Sequence, residues 1–164
     1  MKFFKRCVYA VLLMGIVFAA LYFIPVRSNV DMSLPCVIWE MDDRTTGETE
    51  GIVIKGRYYD YLIKDDRFKG SIRISEVNDY EEEVVMKLRV SNRHGMQSAS
   101  VHYYSSIYHR RVILGSLYMQ GKFDNMLIFL NGSGTNVLLN DKIVSAPATT
   151  IEEAVAIAEA MNFA

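Results

Sequence analysis

Residues 68–75 read FKGSIRIS, and this stretch decides the fold class. Phe68, Gly70, Ile72 and Ile74 alternate with Lys69, Ser71, Arg73 and Ser75, the period of two that gives a strand one dry face and one wet face. The alternation recurs at 84–91, where Val84, Met86, Leu88 and Val90 interleave with Val85, Lys87, Arg89 and Ser91. Working outward, residues 36–41 read as a first strand, followed by an acidic, turn-rich stretch at 42–50. Residues 51–63 form a long strand interrupted at Gly56, where a residue without a Cβ suits a bulge or bend. Asp65 and Asp66 mark a turn, 78–83 an acidic loop and 92–95 another turn. Residues 101–108 and 112–119 form a pair joined through His109, Arg110 and Arg111, and 126–130, apolar on both faces, reads as a central strand. Asn131-Gly132-Ser133-Gly134 is a loop signal. Segments 136–139 and 142–144 flank Asn140-Asp141, a two-residue hairpin turn tolerant of positive φ.

The chain then changes character. Thr149 with Glu152, or Thr150 with Glu153, offers a capping box behind Pro147. Ile151, Ala154, Val155, Ala158 and Met161 fall on one helical face. The expected fold is mainly β (α+β): an antiparallel meander of about eight strands, curled or closed into a barrel-like sheet, with one C-terminal helix that packs on the sheet or plugs one end. Closure also removes exposed edges.

At the other end, residues 8–24 read VYAVLLMGIVFAALYFI without a charge, and Pro25 closes the run. That length reaches the lower edge of what spans a bilayer. Lys2, Lys5 and Arg6 precede it, so the positive-inside rule puts the N-terminus in the cytoplasm and the rest of the chain outside. The run exceeds a signal-peptide h-region, and Leu21, Tyr22 and Phe23 fill the place of a small-residue cleavage site, which favours an uncleaved anchor. The expected organisation is a cytoplasmic tail at 1–6, a transmembrane anchor at 7–25, a short polar stalk at 26–35 and an extracytoplasmic β-rich domain at 36–164 of a single-pass cell-membrane protein.

Charge narrows the function classes. The 164 residues carry a net charge of −1, with 18 basic and 19 acidic side chains. Residues 28–164 hold 14 of the basic residues and all 19 acids, a balance that argues against a nucleic-acid partner. Cys7 and Cys36 lie on opposite sides of the apolar run and have no zinc-type spacing; Cys36 reads as a small buried hydrophobe. His94, His102 and His109 do not converge as metal ligands do. Neither a GxSxG elbow, a phosphate-cradling loop nor a calcium loop occurs. No metal, cofactor or catalytic residue is therefore expected. Asn131-Gly132-Ser133 is formally a glycosylation acceptor.

Aromatic residues form the densest unusual feature. Tyr103, Tyr104, Tyr108 and Tyr118 lie in one region with Arg110 and Arg111, and tyrosine with arginine is the composition of binding hot spots. These six are the candidate binding residues. A second aromatic group comprises Tyr58, Tyr59, Tyr61 and Phe68. Segments 55–63 and 120–128 also resemble each other, each running glycine, cation, aromatic, then aspartate and Leu-Ile. Three functions fit: a non-catalytic interaction or accessory module for an envelope or membrane partner, a carrier or sensor of a small apolar ligand in a barrel-like pocket, and an envelope hydrolase using Asp65, Asp66 or His102.

Overall fold

A computed structural model describes residues 2–62, 64–75, 84–90, 96–105, 110–130 and 141–163. Helix α1 spans Lys2–Phe23 and is followed by β1 (Val26–Glu40), β2 (Asp43–Asp60), β3 (Asp66–Ile74), β4 (Val84–Val90), β5 (Gln97–Ser105), β6 (Arg110–Gln120), β7 (Asn125–Leu130), β8 (Lys142–Ala146) and helix α2 (Ile151–Ala160). Each strand pairs antiparallel with the next, and β1 pairs with β8, so the mainly β meander closes into a barrel.

Alternation sorts the side chains by face. Cys36, Ile38, Ile52, Ile54, Phe68, Ile72, Ile74, Leu117, Ile128 and Val144 point inward into one core. Val37, Trp39, Leu127 and Ile143, the intervening positions, form a second core outside the barrel. Helix α2 covers that outer core: Ala154 and Ala158 are fully buried, their small side chains letting the helix approach the strands closely. Beneath it the Trp39 indole donates to Ser145 Oγ at 2.8 Å, joining β1 to β8 at the barrel seam. Thr150 caps α2; its hydroxyl accepts from the Glu153 amide, while the Glu153 carboxylate reaches back to the amide and hydroxyl of Thr149. Of the two expected capping pairs, Thr150 with Glu153 supplies the N-cap bond, while the returning carboxylate engages Thr149 rather than the Thr150 amide. Of the two places expected for this helix, it takes the outer face of the sheet.

Glycine pairing sets the closest approach of two strands. Gly56 on β2 stands opposite Gly70 on β3. A Cβ on either would collide with the other's Cα and a facing carbonyl, and the Phe68 ring lies against both. Gly56 thus serves close strand contact rather than the expected bulge or bend, and the register runs through it unshifted.

Several boundaries differ from the sequence expectation. The stretch 26–35, expected as a stalk, is strand: it is the first part of β1 and pairs residue by residue with 51–60 of β2. Ser28, Val30, Met32 and Leu34 face inward there, while Arg27, Asn29, Asp31 and Ser33 face solvent. The acidic stretch 42–50, expected as turn-rich, belongs almost wholly to β2; Met41 and Asp42 turn the chain, and residues 44–46 bulge out of register opposite Trp39 and Glu40. β5 begins at Gln97 and β8 runs on to Ala146. The expected strand at 136–139, the Asn131 glycosylation triplet, His94 and His109 lie outside the described residues. Asp141 has the positive φ of 66° that the hairpin reading asks for.

Helix α1 contains the apolar run, and the barrel's first strand follows it after only Ile24 and Pro25. Among the described residues no helix is long and apolar enough to cross a membrane, so the structure itself carries no transmembrane helix for the 7–25 expectation.

Candidate functional site

Of the six candidate binding residues, four share one end of a hairpin and Tyr118 lies at the other. Backbone register sets Tyr103 opposite Val112 and Tyr104 opposite Arg111, with Arg110 opposite Ser105, across the β5–β6 hairpin. Tyr118 sits near the other end of β6, half-buried on the outer face, its ring packed against Phe129 and Phe163 at centroid distances of 5.6 and 4.6 Å. It is part of the packing beneath the C-terminus. Tyr108 lies outside the described residues.

The second aromatic group converges instead, at the end of the barrel where α1 joins. Tyr58 faces inward from β2, Asp66 opens β3, and Gln97 opens β5. The Tyr58 hydroxyl lies 2.8 Å from Asp66 Oδ2 and 2.8 Å from Gln97 Oε1, with one proton to share between the two acceptors. Gln97 Nε2 donates to the same carboxylate oxygen at 2.8 Å. Asp66 Oδ1 accepts the backbone N–H of Tyr61 at 2.8 Å. Burial, and secondarily the hydrogen bond to the Asp66 carboxylate, push the Tyr58 phenol well above the ordinary tyrosine range. Ser28 Oγ, at the register position opposite Tyr58, is buried without a hydrogen-bond partner among the described residues.

A plug completes this end. The turn between β6 and β7 passes through Gly121 at φ 62° and Phe123 at φ 70°, a conformation that is unusual for a bulky residue. It turns the Phe123 ring inward to full burial, edge-on to Phe68 at 5.1 Å and to Tyr58 at 6.4 Å. Lys122 lies over the Tyr58 ring at 5.2 Å and pairs with Asp60 at 3.1 Å. The two look-alike segments therefore meet in space, though Gly56 is in a strand and Gly121 in a turn.

Outside this network lies a rim. Lys64 Nζ sits over three rings, Tyr61 at 4.1 Å and Tyr22 and Phe23 at 5.4 Å each. Arg27 lies over Tyr59 at 5.9 Å. Phe23, Ile24, Val26 and Leu62 are exposed.

The chemistry available is that of a clamp. Both oxygens of Asp66 are engaged by Tyr61, Tyr58 and Gln97, and the residue is only 8% exposed, so three of its roughly four acceptor positions are taken within the barrel end. His102 lies on β5 beside an irregularity of register, and no described contact joins it to Asp66. Among the described residues no three His, Cys, Asp or Glu side chains group to hold a metal. Two described cavities lie outside the barrel core: about 290 Å³ at the β1–β2 hairpin, between Trp39, Thr46 and Lys142, and about 450 Å³ beside α2, between Pro35, Asn125 and Ile157. The axis of the barrel is occupied by side chains such as Ile52, Phe68, Leu117, Met119 and Met126, all with no exposed surface. Nothing in the sequence singled out Asp66 and Gln97 as partners of Tyr58; the signal was an acid and an amide opening two strands. Comparison with known proteins finds no matching protein family, no matching curated protein and no matching solved structure.

Proposed function

We propose that this chain is a non-catalytic, membrane-tethered accessory module, held by α1 with its N-terminus in the cytoplasm and its barrel outside. The observation that carries the reading is the filled barrel, since recognition must then occur on its outer surface. Tethering draws support from α1 itself. Its side chains from Val8 to Phe18, among them Val11, Leu12, Leu13, Met14, Ile16 and Val17, are apolar and exposed around the whole helix rather than along one stripe. Such a helix needs an apolar surrounding that this barrel does not supply.

The partner contact proposed is the β5–β6 hairpin with Tyr103, Tyr104, Tyr108, Arg110 and Arg111. An envelope or membrane protein is the partner class, because the two-residue connection keeps the barrel near the bilayer. A carrier of a small apolar ligand needs an internal cavity, and the packed axis favours the accessory module over it. Crosslinking of the full-length protein in native membranes tests the proposal. One stoichiometric partner, lost on Tyr104→Ala with Arg111→Ala but kept on Lys55→Ala, is the expected result. Absence of a partner under efficient crosslinking would overturn it.

A further inference from the structure

We infer that the tip of the β2–β3 turn, Tyr61 with Leu62 and Lys64, is a second membrane contact that seats the barrel on the lipid interface beside α1. The inference rests on the tethering reading above and specifies the surface involved. Among the described residues outside α1, Leu62 is the most exposed large apolar side chain, at 72%, and Ile24 and Val26 on the same rim are each 69% exposed. Ile24 and Val26 follow the exposed Phe23 of α1 within three residues, so exposed apolar positions run from the helix end onto the barrel rim.

The chemistry around Leu62 is that of a headgroup boundary. Tyr22, Phe23 and Tyr61 gather about one lysine, Lys64, and rings with one apolar and one polar end concentrate at that depth. Lysine and arginine stems lie along apolar surface while their charged ends reach phosphate, which suits Lys64 and Arg27. The nearby acids Asp60 and Asp31 face cations of their own, Lys122 at 3.1 Å and Lys55 at 3.8 Å. Two of the acids on this side of the barrel are therefore paired with cations.

The turn is also held in advance. Asp66 fixes the Tyr61 amide, and Tyr58 with Gln97 fixes Asp66, so presenting Leu62 to lipid needs little further ordering of the chain. The occupant is a lipid surface rather than a protein partner, because exposed Leu62 stands with a lysine ringed by Tyr22, Phe23 and Tyr61, at the foot of an exposed apolar helix.

The test uses the full chain with Cys7→Ser, reconstituted in phosphatidylethanolamine–phosphatidylglycerol vesicles and labelled at single introduced cysteines with an environment-sensitive fluorophore. Leu62→Cys reads the turn, Gly15→Cys reads α1, and Arg44→Cys on the exposed β1–β2 hairpin is the aqueous reference. The expected result is a Leu62 probe quenched by shallow nitroxide lipids, at a depth of about 5–10 Å, with the Arg44 probe unquenched and the Gly15 probe quenched by deep nitroxides. A Leu62 probe behaving like the Arg44 probe, with Gly15 quenched, would overturn the second contact and leave the tether standing. A Gly15 probe that no nitroxide lipid reaches would overturn the tether and this inference together.

Discussion

Phe123 lies edge-on to Phe68, ring centroids 5.1 Å apart and planes at 73°, although one residue belongs to a turn and the other to a strand 55 positions earlier. The contact closes the barrel end next to α1. Phe123→Ala is expected to lower unfolding stability by about 3–4 kcal/mol, the usual cost of deleting a buried phenyl ring. Urea unfolding measures it. A loss under about 1 kcal/mol would mean that the turn does not plug the barrel in solution.

The Tyr58 phenol titrates above its unfolded value of about 10. A raised folded value means that the neutral phenol stabilises the barrel fully below about pH 10, and that this share is lost as pH rises beyond it. Tyr58→Phe should cost about 1–2 kcal/mol at neutral pH, because Asp66 and Gln97 lose a shared donor. It should also flatten the alkaline limb of a stability–pH curve. An unchanged alkaline limb in the variant would contradict the assignment.

Gly70→Ala places a methyl group against the Lys55 carbonyl and the Gly56 Cα, both of them backbone. Backbone cannot yield as a flexible side chain does, so β2 and β3 must separate. A loss of roughly 2 kcal/mol or more is expected in thermal unfolding. Gly15→Ala, mid-helix with nothing within 4 Å, is the sterically free comparison and should be neutral or stabilising by up to about 1 kcal/mol.

The Cys36 thiol is fully buried, and burial together with Glu50 pushes it up to about 11. In a Cys7→Ser background, a thiol reagent at pH 8 should label Cys36 no faster than the barrel opens. Adding urea below the unfolding midpoint should raise the rate in step with the open population. Rapid labelling without denaturant would show that the β1–β2 region opens on its own.

Much of this architecture could be read from alternation alone. The period of two located the strands beginning near 68, 84, 112 and 126, and the capping threonine located α2. Residues 26–35 were misread because Arg27, Asn29, Asp31 and Ser33 gave the stretch a polar look. Yet Val30, Met32 and Leu34 held the inward positions, the same one-sided pattern as in 68–75. The 42–50 stretch failed for a related reason: its threonines favour strand, but its acids resemble those of a loop. The clamp was harder to see. Tyr58, Asp66 and Gln97 stand on three strands, and only closure of the barrel brings their side chains together. Tyr118 shows the opposite case, an apparent hot-spot residue that tertiary packing takes up beneath Phe163.

The junction at Ile24 and Pro25 has a mechanical consequence. With two residues between the last helical turn and the first ladder hydrogen bonds, and with the proline ring fixing one of the few torsions available, the joint between α1 and the barrel is short and has few free rotations. Lys64, resting on Tyr22 and Phe23, braces it from the side. A change in the angle between helix and barrel must therefore lift Lys64 off these two rings, which makes the lysine the latch of a short hinge.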